Sequence, residues 1–214
     1  MTGFARDEVD EAFQHYWKVG CVDEDWAAWT ELFTPDVVYV DHFWGPLHGR
    51  EEVDPWIHAV MKGVPEIYTV LDWYAIDGDR VVFRMENRRD NPDGEGPPYF
   101  DFPGLSVLTY AGDGLWSAEE DYWDRDGARR TTGEYVAACK RAGVTTPEER
   151  MRRGHWPDGP DWARTDAPPS PSWLARDDLP GITRPGELRA LLARRRPRPT
   201  AAARCWIRSG RWRR

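Results

Sequence analysis

The chain has 214 residues and a net charge of −8, and residues 187–214 hold ten Arg against one Glu (+9), which leaves −17 on residues 1–186. So acidic a body repels phosphate backbones and disfavours nucleic acid as a partner, while the Arg-rich end reads as a solvated tail with non-specific polyanion contacts only. No apolar stretch is long enough to span a bilayer, and Cys21, Cys139 and Cys205 are too sparse for a disulfide framework or a paired-cysteine metal site, so a soluble, cytoplasmic protein off the membrane is expected.

Composition divides the chain near residue 145. Upstream, apolar runs alternate with short turn signals; downstream, Pro, Arg, Asp and Gly dominate and aliphatic residues are few. The expectation is a core domain over residues 1–145 and a Pro/Arg-rich tail over 146–214, largely irregular or disordered, with one short helix at Pro185 to Arg195. The tail's GHWPDGPDW and SPSW segments carry tryptophans able to wrap over the domain.

In chain order, Val9, Ala12, Phe13, Tyr16 and Trp17 recur at helical spacing, which predicts a helix from Asp7 to Val19 ended at Gly20. A second, over Asp23 to Phe33, stripes Trp26, Trp29, Leu32 and Phe33 on one face and stops at Thr34-Pro35. Val37 to Phe43 reads as a strand with Tyr39, Asp41 and Phe43 on one face and Val38, Val40 and His42 on the other. Gly45-Pro46 and Gly49 bracket a turn before a third helix over Arg50 to Lys62. Strands follow at Ile67 to Ile76, Val81 to Arg89, Tyr99 to Tyr110 and Leu115 to Trp123, then a last helix from about Gly133 to Arg141. Three helices, a short strand and a meander make an α+β pattern: helices covering one face of a curved antiparallel sheet.

The stretch from Asp25 to Trp56, DWAAWTELFTPDVVYVDHFWGPLHGREEVDPW, and the last strand, GLWSAEEDYWD, carry a resemblance. Over about residues 5 to 142 the chain resembles the nuclear transport factor 2-like superfamily, which includes ketosteroid isomerases, limonene epoxide hydrolases, scytalone dehydratases and SnoaL-like polyketide cyclases. That resemblance implies a cone-shaped fold and a pocket for a small hydrophobic molecule; the superfamily also contains non-enzymes.

The resemblance puts a carboxylate at Asp41, where ketosteroid isomerases keep their proton-shuttling base, and Tyr39 matches a tyrosine that holds water in the epoxide hydrolases. Flanked by Val40, Phe43 and Trp44, Asp41 would be partly desolvated; the alternative is a solvent-facing strand end. Asp121 matches the water-activating aspartate of a D-Y-F-D sequence, and Glu119 shares its face by period two; the alternative is a solvated acidic strip. Alternation of Val81, Phe83 and Met85 turns Asn87 inward, so the hydrolases' Arg/Asp pair is not restored in either register. For the isomerases' oxyanion hole, Tyr16 or Trp17 matches the tyrosine and Ser106 stands at the acid. His42 has the parity opposite to Asp41 and is a reserve pocket candidate; His48 and His58 lack ligand spacing, and no metal is expected.

Tyr16, Trp17, Trp26, Trp29, Trp44, Trp56, Trp73 and Tyr110 all fall on inward stripes. Two readings follow. The first is an enzyme acting by acid-base catalysis on a ring-containing polyketide, terpenoid or steroid-like molecule, without a cofactor because no Gly-rich phosphate loop is present. Asp41, Asp121 and Tyr39 would be catalytic; Tyr16, Trp17, Phe43, Trp56, Phe83, Met85, Asn87, Ser106 and Glu119 would contact substrate. The second is a non-catalytic module that binds a ligand or forms a homodimer through its sheet.

Overall fold

The computed structural model describes residues 3–150, 160–163 and 170–195. Helix α1 (Arg6–Trp17) buries Val9, Phe13, Tyr16 and Trp17 and carries Asp7 and Glu8 in its first turn, where the helix dipole favours acid. The chain does not stop at Gly20 as expected. It passes through a π-helical turn (Lys18–Val22), with Gly20 buried under an indole: a Cβ there would lie 2.3 Å from Trp29 Cδ1. Helix α2 (Trp26–Glu31) begins where Asp25 accepts a hydrogen bond from the Ala28 amide at 3.0 Å.

Strand β1 (Phe33–Asp41) claims Phe33, which the helical stripe had assigned to the second helix, because the Trp116 amide donates to the Leu32 carbonyl at 2.9 Å and Phe33 pairs with Trp116. Gly45 to His48, expected as turn, forms strand β2 (Gly45–His48), antiparallel to β1. Helix α3 (Arg50–Gly63) starts at Gly49, whose φ of +76° is one that side chains rarely adopt. Strands β3 (Tyr68–Asp77), β4 (Arg80–Asp90), β5 (Tyr99–Gly112) and β6 (Leu115–Trp123) form the meander, and helix α4 (Arg125–Ala142) begins eight residues earlier than expected, where Asp124 caps the Asp126 and Gly127 amides.

The sheet order is β2-β1-β6-β5-β4-β3. It is mixed, not antiparallel throughout: β1 runs parallel to β6, since the chain crosses from β1 to the far edge through α3 and returns by hairpins. A register shift at Leu71/Trp73 turns Trp73 to the outer face, where it is 45 % exposed, so the expectation that it faces the core fails. The N-terminal helices and α3 cover one end of the concave face, and α4 packs on β5 through Phe100, Tyr135, Ala138 and Cys139 at the other.

The described part of the region after residue 145 contains helix α5 (Pro147–Arg150), two 3-10 turns (Asp161–Ala163 and Ser172–Ala175) and helix α6 (Pro185–Arg195). Residues 172–191 lie against the domain as a strap. Trp173, Leu179, Ile182, Leu188 and Leu191 are buried in the same core as α1 to α3. Backbone bonds fasten it, Ser172 to Glu24 at 3.0 Å and Ile182 to Ala59 at 2.8 Å. His58, buried, sits 3.0 Å from Ser172 Oγ and 2.8 Å from the Asp54 carbonyl, and Arg176 pairs with Asp54 at 3.0 Å. Gly63 makes the crossing possible, because a Cβ would come within 2.2 Å of the Ile182 carbonyl oxygen. Of the two tryptophan segments, SPSW docks through Trp173, while most of GHWPDGPDW lies outside the described residues.

Trp173→Ala is expected to cost about 3–5 kcal/mol of unfolding free energy, the loss typical of a buried indole truncated in a core. Urea denaturation measures it; a loss under about 1 kcal/mol would mean that the strap is not part of the cooperative unit.

Candidate active site

Two local devices aim the acids. In β6 the register against β5 slips around Ser117, so that Trp116 before the slip and Glu119 and Asp121 after it all face the concave side although their parities differ. In β1 strict alternation brings Val37, Tyr39 and Asp41 to that same face. Because β1 and β6 pair in parallel, Tyr39 stands beside Glu119 and Asp41 beside Asp121. Across β5 and β4, Asp121 is followed by Ser106 and then Phe83.

The three carboxyl groups are buried: Asp41 is 5 % exposed, Glu119 2 % and Asp121 8 %. Tyr39 donates to Asp121 Oδ2 at 2.5 Å and Ser106 donates to Oδ1 at 2.5 Å. Tyr16, reaching down from α1, lies 2.7 and 2.8 Å from the two Glu119 oxygens. Asp41 Oδ1 accepts from the Phe43 and Trp44 amides at 2.7 and 2.9 Å, closing the β1–β2 turn, and its Oδ2 accepts from the Trp123 indole at 3.2 Å.

Burial dominates the electrostatics. It raises Asp41, with the Trp44, Phe43 and Trp123 donors pulling partly back. It pushes Asp121 up to about 6, helped by the charge of Asp41 and opposed by the Ser106, Tyr39 and Glu119 hydrogen bonds. Glu119 is raised well above the carboxylate range, first by burial and then by the Asp121 charge, so it holds a proton while Asp121 is ionised. Tyr16 and Tyr39 are likewise raised by burial and remain protonated donors.

These groups open onto one cavity of about 910 Å³, walled largely by apolar and aromatic side chains. Of the expected site residues, Asp41, Asp121, Tyr39, Tyr16, Phe43, Trp56, Phe83, Met85, Asn87 and Glu119 all line it. Three do not. Trp17 is fully buried behind it, packed on Phe13 and Phe83; Ser106 is fully buried and touches the site only through Asp121; His42 lies outside, 2.8 Å from Glu120 and stacked on Tyr122. His42 fails for the parity reason already visible in the strand, and no bulge reverses it.

Sequence reasoning missed Arg89 and Glu66, which line the cavity at the α4 end. The signal for Arg89 was present: the alternation that turns Val81, Phe83, Met85 and Asn87 inward reaches residue 89 two steps later. Glu66 precedes β3 in a short connection without periodicity, so nothing pointed to it. Among the described residues, no group of three or more His, Cys, Asp or Glu side chains is arranged to hold a metal ion, and no helix among them is long and apolar enough to cross a membrane.

Comparison with solved structures gives likenesses at the level of fold. A hypothetical protein with a ketosteroid isomerase-like fold from Catenulispora acidiphila, in complex with trimethylamine, is 20 % identical, covering 60 % of this chain and 95 % of that one at a TM-score of 0.48. An LEH-like epoxide hydrolase from M. tuberculosis is 17 % identical over 63 % and 96 %, at 0.49. An NTF2-like protein of unknown function from Burkholderia pseudomallei is 18 % identical over 58 % and 96 %, also at 0.49. No curated protein matches the sequence. The SnoaL-like domain matches residues 10–119, just over half the chain, from within α1 to the middle of β6, and the chain therefore belongs to the SnoaL-like domain family of the NTF2-like superfamily.

Proposed function

We propose that this protein is a cofactor-independent enzyme that moves protons on a hydrophobic, ring-containing metabolite such as a polyketide, terpenoid or steroid. The observation that carries the reading is the convergence of three buried carboxyl groups on one largely apolar cavity. Burial that raises carboxyl groups out of their usual range, beside a partner that stays charged, separates an acid from a base in the same pocket.

Asp121 is the base. With its proton affinity raised to about 6 it is ionised at neutral pH yet basic enough to take a proton from a carbon next to a ring carbonyl. Tyr39 and Ser106 fix its orientation through their hydroxyls. The electron pair left on carbon moves into the carbonyl, and the enolate oxygen accepts from Glu119, which burial keeps protonated and whose O–H is released from Asp121 once that base has taken the proton. Return of the proton from Asp121 to another carbon of the conjugated system completes an isomerisation; attack of the enolate carbon on a second carbonyl, whose π electrons pass to its oxygen and take the proton back from Asp121, completes a cyclisation. Asp41, whose Oδ1 closes a turn, acts by its charge on Asp121 and not as the base itself. Epoxide opening is less well supported, since Met85 and Asn87 stand where an Arg/Asp pair would be needed.

The turn-closing bonds of Asp41 and the hydroxyl partners of the other two acids are also what a purely structural set would show, which favours a ligand-binding module as the second reading. A homodimer through the outer face of the sheet, where Val38, Trp73 and Tyr122 are exposed, belongs to either reading.

Incubation with a panel of ring ketones in D2O, read by mass spectrometry, tests the proposal. Wild type is expected to exchange α-hydrogens with a rate that rises with pH through about 6, because the base must lose its proton. Asp121→Asn should lose on the order of 100-fold or more. Asp41→Asn removes the repulsion that raises Asp121 and should move the midpoint of the pH profile below 6. Exchange that survives Asp121→Asn, or probe binding without exchange of any ketone, sinks the catalytic reading and leaves the binding module.

Stability should bear the mark of the same groups. Asp121 binds its proton more tightly folded, at about 6, than its ordinary 3.8, so between those values the native state holds more protons than the unfolded one and stability falls as pH rises. Thermal or urea denaturation from pH 4 to 7 should show this as a loss on the order of 2–3 kcal/mol. In Asp121→Asn the slope should flatten.

A further inference from the structure

We propose that the cavity has a second, cationic pole at Arg89, built to receive the carboxylate of an elongated apolar acid whose ring portion reaches the three buried carboxyl groups. This inference rests on the reading of the cavity as a small-molecule site and narrows the substrate class to ring-bearing organic acids. Arg89 is an inward residue of β4, six positions beyond Phe83, which is on the order of 20 Å of extended strand from the row that holds Asp121. It lines the cavity, is 3 % exposed, and its Nη1 has no hydrogen-bond partner among the described residues. A buried guanidinium with an orphaned donor is costly, and such groups are retained where a ligand completes them.

The surroundings are prepared for an anion. Glu66 is shared by two guanidinium groups, 3.3 Å from Arg89 Nε and 3.4 Å from Arg150 Nη1. Both contacts are longer than the roughly 2.7–2.9 Å of a tight charge-assisted bond, so among the described residues one carboxylate serves two cations loosely and one positive charge is left over. The Phe102 and Tyr135 rings lie 5.9 and 5.6 Å from the guanidinium carbon, packing against the group and leaving its edges to make hydrogen bonds. Around the mouth, α4 adds Arg125, Arg129 and Lys140, all exposed, although residues 1–186 together are strongly acidic. Cationic side chains at the mouth of a cavity in an acidic body raise the local concentration of an anionic ligand there. The opposite pole, with its buried acids, repels a carboxylate. The cavity thus orients an acid in one sense only, ring first.

Binding of 4-(1-pyrenyl)butyrate and of its uncharged methyl ester to the full chain, followed by pyrene and tryptophan fluorescence, tests this without any turnover. The acid is expected to bind at least tenfold more tightly than the ester. Arg89→Met should weaken the acid ten- to a hundredfold and leave the ester unchanged, with Arg89→Lys intermediate. Glu66→Gln, which removes the competing anion, should strengthen acid binding several-fold and supplies the test if Arg89→Met does not fold. Probe binding and ketone exchange are separate readouts, so failure of this pole and failure of the catalytic reading are distinguishable. Equal affinity for acid and ester, equal weakening of both by Arg89→Met, weaker acid binding in Glu66→Gln, or binding of neither probe overturns the proposal.

Discussion

Placing three carboxyl groups out of water on adjacent strands is an arrangement that the rest of the molecule has to compensate. A lone buried carboxylate costs several kcal/mol, and two side by side repel, so the acids persist only because hydroxyl, indole and amide donors meet them and because part of the set stays protonated. The side-chain donors come from four places in the chain, Tyr16 on α1, Tyr39 on β1, Ser106 on β5 and Trp123 on β6, and the amides of Phe43 and Trp44 add a fifth. Each must be held at hydrogen-bond distance. The dense aromatic packing of the N-terminal helices does this for Tyr16, which is wedged among Phe13, Trp29, Phe33, Phe83 and Trp116. Core and site are therefore one structure, and the core tryptophans do more than fill volume: they fix the donor that Glu119 depends on.

Much of this was legible in the sequence. Period-two alternation put Tyr39 with Asp41 and Glu119 with Asp121, helical spacing put Tyr16 on an inward stripe, and the family resemblance implied that they share one pocket. What failed depends on contacts distant in sequence. Phe33 reads as the end of a helical stripe until Trp116, 83 positions on, captures the backbone beside it. Gly20 looks like a helix stop, yet its missing side chain makes room for Trp29. Trp73 fits an inward alternation that a register shift reverses. Bulges are set by the partner strand, and a single strand's pattern does not announce them. The parallel pairing of β1 with β6 belongs to the same class, since it follows from where the crossover through α3 returns.

The strap is the larger lesson. Proline density and charge lead to the expectation of an irregular tail, but irregular backbone can still bury side chains when something pairs its polar groups. Here the connection before α2 supplies Glu24, α3 supplies Ala59, His58 and Asp54, and Gly63 supplies the room. Ile182 and Thr183 then form part of the cavity wall, so a segment that composition assigns to a tail takes part in enclosing the site.

Charge is distributed along the cavity in a way that net charge conceals. One inward face of β4 runs from Phe83, level with Asp121, through Met85 and Asn87 to Arg89, passing from the acid pole across an uncharged middle to a cation. Bringing the two poles together would let them neutralise each other as an ion pair, and Asp121 would then keep an ordinary carboxylate affinity and lose its basicity at neutral pH. The uncharged stretch between them prevents that collapse. It keeps the acids in a medium where burial dominates, and it sets the span that a ligand must bridge to touch both ends.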